Sequence, residues 1–108
     1  MNNLVNHPSH YSKEGRKECI EEMLELYGVH ITAIFCLTNA YKYIYRAGEK
    51  EGNPENQDLQ KARWYFEYAD RIIDRTDLVG AFGKLYGYIR YVMEEWWIER
   101  KYVQEQKM

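Results

Sequence analysis

Hydrophobic residues recur at intervals of three and four along most of this chain, the spacing that lines one face of an α-helix. From Lys17 to Tyr27 the apolar set is Cys19, Ile20, Met23, Leu24 and Tyr27, and Gly28 is placed to stop the helix. A second helix is predicted from about His30 to Ala47. Its apolar face is Ala33, Leu37, Tyr41 and Ile44, flanked by Ile34 and Ala40, and Gly48 ends it. Glu49 to Gln57, with Gly52 and Pro54, reads as a loop. A third helix begins near Asn56 or Asp58 and runs to about Asp74 on a stripe of Leu59, Ala62, Phe66, Ala69 and Ile73. Arg75 to Gly83 is a weak stretch in which Asp77 is positioned to cap a new helix. The last helix starts at Leu78 or Lys84 and reaches Gln104. Leu78, Phe82, Leu85, Ile89, Val92 and Trp96 form a heptad seam on it, widened by Met93 and Trp97.

No strand-like alternation competes with these helices. The prediction is one all-α domain, a small bundle of about four helices. It has an irregular arm at residues 1–14, a helical core at 15–75 and a long assembly helix at 76–108. Pro8 holds His7 out of helical dihedrals, which is why the arm reads as extended or turned. The last helix spans roughly 30–40 Å at ~1.5 Å per residue, more than its neighbours need. With Trp96, Trp97 and Tyr102 to cover, it predicts a homo-oligomer; a long antiparallel helix inside one monomer is the competing reading.

Composition narrows the function classes. The 108 residues, 45% hydrophobic and 30% charged, support one core. A net charge of −2 argues against gripping duplex nucleic acid through a positive field. No apolar run near the ~18 residues of a membrane span stands out and no leader segment does, so a cytoplasmic protein without a membrane partner is expected. Cys19 and Cys36 form no CxxC pair, which removes zinc ribbons and leaves free thiols as the plain reading. Tyrosine is the outlier: 11 Tyr, beside 3 Trp and 3 Phe, give more amphipathic ring surface than a small core needs.

Two polar stripes carry candidate chemistry. Asn39, Lys42, Tyr43 and Arg46 lie at i, i+3, i+4 and i+7 on the second helix. They offer an amide, an ammonium, a phenol and a guanidinium to one ligand, and the two cations suit phosphate. On the third helix Asp58, Lys61, Tyr65 and Tyr68 share a side, with Trp64 adjacent. Asp58 has three possible uses: pairing with a cation of the second helix, accepting from a ribose hydroxyl, or holding a metal. Both stripes also fit solvated helix faces, with Asp58 complementing a helix dipole. The arm adds His7, Ser9, His10 and Tyr11, but only two metal-type ligands are local there, so no metal site is expected. There is no Walker phosphate loop, no GxGxxG after a strand and no HExxH. Ser9 and Ser12 are the only serines, and neither sits in a nucleophile elbow.

Residues 5–11 (VNHPSHY), Glu18 to Glu21, Phe35 to Tyr43 with Arg46-Ala47-Gly48, and Asp58 to Tyr65 together resemble a family of short bacteriophage proteins, the DUF3310 type. Its ordered motifs are the NHPSHY arm, N-A-x-K-Y-x-x-R-A-G and D-L-x-K-A-x-W-Y, and the likeness covers about residues 5–75. Some members are described as nucleotide kinases without a phosphate loop. The resemblance implies a helical phage protein that handles nucleotides in the host cytoplasm. Its motif positions fall on Asn39, Lys42, Tyr43, Arg46, Asp58, Lys61 and Tyr65, with His7 and His10 of the arm. Residues 76–108 match no motif of the family.

Three functions are weighed. The first is a nucleotide sponge that sequesters a signalling nucleotide of host antiviral defence, of cyclic dinucleotide or ADP-ribose type, without turnover and without a cofactor. The second is a nucleoside monophosphate kinase, in which Lys42, Arg46 and Lys61 neutralise the phosphoryl group and Asp58 or Glu18 holds Mg²⁺. The third is a protein-binding inhibitor of a host factor that presents Trp96, Trp97 and Tyr102.

Overall fold

The computed structural model describes residues 18–47, 49 and 55–106, with side chains placed for 57–99 of the last stretch. Among the described residues three α-helices make up the fold: α1 (Cys19–Arg46), α2 (Glu55–Ile72) and α3 (Gly80–Gln106). A single 3-10 turn, Arg75–Asp77, links α2 to α3. Among the described residues there is no strand. The count is three rather than about four because the first two predicted helices join in α1, with the expected break between them. The stop expected at Gly28 is present as a break inside α1: its φ of 88° and ψ of 177° leave the helical region, in a conformation that favours glycine.

Asp74, rather than Asp77, opens the turn after α2. Its carboxylate accepts from the Thr76 backbone N–H at 2.9 Å and from the Thr76 hydroxyl at 2.8 Å. At Gly83 a Cβ would stand 2.8 Å from the Leu78 carbonyl group, so the chain entering α3 requires glycine there.

α1 and α2 form an antiparallel hairpin. The end of α1 meets the start of α2 through Arg46 and Asp58, and Phe35 and Tyr43 both reach Tyr65. Ala33, Cys36, Leu37 and Ala40 of α1 are fully buried, as are Ala62 and Ala69 of α2. Small residues on both sides let the two axes approach closely. Most of that seam is the predicted one, with Ala33, Leu37 and Ala40 inside and Ile44 packed at its edge. Tyr41 and Ile34 are exposed, while Cys36 and Thr32 are inside, because a tyrosine ring does not fit a contact built from alanines. On α2 the predicted stripe is buried at Ala62, Phe66, Ala69 and Ile73, with Leu59 packed at its edge.

α3 runs alongside α1, where Phe82 meets His30 and Tyr88 meets Tyr41, and antiparallel to α2, where Tyr86 meets Phe66. The heptad seam assigned to a partner subunit faces the protomer's own core. Ile89 is fully buried, and Leu78, Phe82, Leu85, Val92 and Trp96 pack against the core cluster. Within the protomer that seam is a packed surface. Tyr86 and Met93 complete it.

The absence of a membrane-length apolar run also needs correcting. By length and composition alone α1 is long and apolar enough to cross a membrane. Leu26 to Tyr41 contains no Asp, Glu, Lys or Arg. Part of that apolar content is the hairpin seam, and part is the exposed outer face of α1.

Candidate functional site

The two predicted polar stripes meet where the end of α1 faces the start of α2. α1 projects Asn39, Tyr43 and Arg46 along one flank because residues four and three apart stack on a helix. α2 brings Asp58, Lys61 and Tyr65 opposite them by the same rule. The Tyr43 and Tyr65 rings stack, 6.0 Å between centroids and 15° from parallel. Phe35 stands edge-on to Tyr65 at 6.1 Å and Trp64 edge-on at 5.1 Å, so neighbouring rings hold Tyr65 in place.

Three cations surround the Tyr43 ring. Lys42 Nζ lies 4.7 Å from its centroid, the Arg46 guanidinium carbon 4.9 Å and Lys61 Nζ 5.5 Å. The negative face of a phenol attracts each of them, by about 0.5–1 kcal/mol at exposed sites. Arg46 also pairs with Asp58, Nε to Oδ1 at 3.5 Å, and the Asp58 carboxylate is fully buried while Arg46 is 38% exposed. Of the uses weighed for Asp58, pairing with a cation of the preceding helix is the one the fold adopts. Among the described residues no carboxylate forms an ion pair with Lys42 or Lys61. Counting Lys42, Arg46 and Lys61 against Asp58, three positive charges less one negative, leaves a surplus of +2.

The remaining predicted site residues divide. Asn39 lies on the same flank, but one amide donor goes to the Phe35 carbonyl at 2.9 Å within its own helix. Tyr68 turns away to stack on Trp64 at 5.8 Å, under the Arg71 guanidinium at 5.2 Å. His7, His10 and Tyr11 lie outside the described residues. Phe35 was missed by the sequence reading, although its place four residues before Asn39 and eight before Tyr43 puts it on the same flank. Among the described residues no group of three or more His, Cys, Asp or Glu side chains comes together as metal ligands would. Glu18, the other carboxylate considered for Mg²⁺, is at the start of α1, the opposite end of the helix from Arg46.

A second polar cluster closes the turn between α2 and α3. The Tyr86 hydroxyl donates to Asp70, Arg75 donates to that hydroxyl, and Arg75 Nη1 pairs with Asp70 Oδ1 at 2.8 Å. Burial pushes the Asp70 carboxyl up, but the hydrogen bonds from Tyr86 and Arg75 outweigh it and hold the carboxyl below the ordinary value. Burial and the bond to Asp70 push the Tyr86 phenol up. Cys19 is exposed and Cys36 buried, both as free thiols. Burial drives the Cys36 thiol up to about 12, against the pull of Arg71.

Comparison with known proteins agrees with the motifs. The family model for a protein of unknown function, DUF3310, matches residues 5–67, more than half of the chain. The Gene 1.7 protein of Enterobacteria phage T3 is 38% identical over 68 residues, covering 62% of this chain and 42% of that relative. The chain thus spans less than half the length of the curated relative it matches. No solved structure matches it.

Proposed function

The chain belongs to the DUF3310 family, and from that premise we propose that it is a phage nucleotide-binding protein whose phosphate site is the α1/α2 cluster. The carrying observation is the gathering of three cations around one tyrosine ring with a single carboxylate beside them among the described residues. Like charges gathered this closely repel, and the stacked phenols and Asp58 offset only part of that repulsion. A phosphate group relieves the rest, taking the Arg46 fork and the two lysine point charges. The edge of the Tyr43–Tyr65 stack offers a ring surface beside that phosphate for a base or ribose.

Binding without turnover is the reading favoured over phosphoryl transfer. A kinase of the form considered above needs a carboxylate turned toward the phosphates to hold Mg²⁺. Asp58 is fully buried and paired with Arg46, and Glu18 is at the far end of α1. The role proposed is sequestration of a signalling nucleotide, cyclic dinucleotide or ADP-ribose type, of host antiviral defence in the host cytoplasm. The protein-inhibitor reading loses part of its surface: Trp96 packs on the core, and the Trp97 ring carries the Arg63 guanidinium at 4.3 Å.

A thermal-shift series with mono-, di-, cyclic and ADP-ribose nucleotides, with and without Mg²⁺, tests the proposal. A bound ligand raises the melting temperature by mass action. The ligand that does so is then released by heat and chromatographed. Intact ligand supports sequestration; a diphosphate formed from ATP and a monophosphate reassigns the site to phosphoryl transfer. No shift with any nucleotide overturns the proposal.

A further inference from the structure

The seam predicted for assembly is buried within the protomer, yet a different face is left open. On α1 the exposed residues Ile31, Ile34, Tyr41 and Tyr45, with Thr38 between them, follow spacings of three, four, three and four. On α3 the exposed residues Lys84, Tyr88, Tyr91, Glu95 and Ile98 follow four, three, four and three. The Tyr41 and Tyr88 rings touch, 5.6 Å between centroids, so the two stripes adjoin in one surface. Tyr45 is 74% exposed, Tyr91 and Ile98 each 63% and Ile31 53%, large values for apolar side chains.

We propose that this α1/α3 face is where a second copy of the chain docks, across a two-fold axis near residues 89 and 90 of α3.

Three observations select a second copy. The stripe on α1 lies within the uncharged stretch Leu26 to Tyr41, extended by Tyr45, so it meets its own copy without self-repulsion. The stripe on α3 is self-complementary. An antiparallel pairing centred between residues 89 and 90 sets Tyr88 of one copy against Tyr91 of the other, and Lys84 against Glu95. The area also fits. The apolar side chains of the two stripes expose roughly 600–800 Å² together, close to the ~800 Å² per partner of a standard interface. At about 100° per residue, Tyr41 and Tyr45 stand roughly 160° from Tyr43 around α1, so docking here leaves the cation cluster uncovered.

Sedimentation velocity of the full chain at tens of micromolar tests the proposal. The expected mass is twice 13.1 kDa. Lys84→Glu and Glu95→Lys, each alone, place like charges across the axis and weaken association roughly tenfold at low salt. The double variant restores the pair and recovers wild-type association. Tyr91→Glu yields monomer with an unchanged circular dichroism spectrum. A wild-type monomer, or two single variants that associate as the wild type does, overturns the proposal. So does a monomer that co-sediments with phosphatidylglycerol–phosphatidylethanolamine vesicles, which assigns the face to a bilayer. The readout is independent of nucleotide binding: a dimer that binds no nucleotide supports this interface and removes only the site reading.

Discussion

Two clusters in this protein draw on the same chemistry, tyrosine with arginine and aspartate across a helix boundary, and they end with opposite electrostatics. Asp70, Arg75 and Tyr86 form a closed set: one acid, one cation and one phenol, each bonded to the others. Its effect is structural, because it pins the 3-10 turn to both α2 and α3. Among the described residues the Tyr43 cluster sets three cations against one carboxylate, beside the half-buried Tyr43 and Tyr65 rings. A set whose charges cancel attracts an anion weakly, whereas an unbalanced one attracts it strongly. The difference separates a brace from the site proposed for phosphate.

The largest effect comes from opening the core beside the closed set. Phe66→Ala removes a buried ring that touches Tyr86 and lies between the helices. It lowers stability by about 3–5 kcal/mol, read by urea denaturation. Next are the cations. Lys42→Ala and Lys61→Ala each weaken nucleotide binding by about 1.5–3 kcal/mol, the range for hydrogen bonds to charged groups, while ligand-free melting stays within about 1 °C. Arg46→Ala mixes the two signatures, since it also strips the cation from a fully buried Asp58, and so lowers stability as well as affinity. Tyr86→Phe does the reverse of the lysine variants. It costs about 1–2 kcal/mol of stability and leaves nucleotide affinity unchanged.

The smallest effect is in pH. The Asp70 carboxyl is more acidic folded than unfolded, so its contribution to stability is present above the unfolded pKa. That contribution is lost as pH falls through the lower folded value. Acid titrations followed by circular dichroism should therefore show Asp70→Asn less stable than wild type at neutral pH, with the two converging in acid.

The sequence announced some of this and hid the rest for physical reasons. Gly28 was legible because a positive φ inside a helical pattern favours glycine. The lower α2 stripe was legible because Ala62, Phe66, Ala69 and Ile73 repeat cleanly. On α1, Ala33, Leu37 and Ala40 were placed correctly and Tyr41 was not, because periodicity ranks a tyrosine as apolar, whereas a close helix contact selects for size. The α3 seam was read correctly as a seam, but spacing says that a face is buried and not what buries it, and here it packs on the protomer's own core. The meeting of Arg46 with Asp58 follows from the antiparallel pairing of α1 and α2. The brace was not seen beforehand, because Asp70, Arg75 and Tyr86 come together only once the turn is folded.

Isothermal titration calorimetry with the nucleotide that most raises the melting temperature, on wild type and Lys61→Ala, tests the site most directly. The account predicts saturable binding that weakens at least tenfold in the variant, whose fold is intact by circular dichroism. Equal affinity in the two proteins, or no binding heat from the wild type, would contradict it.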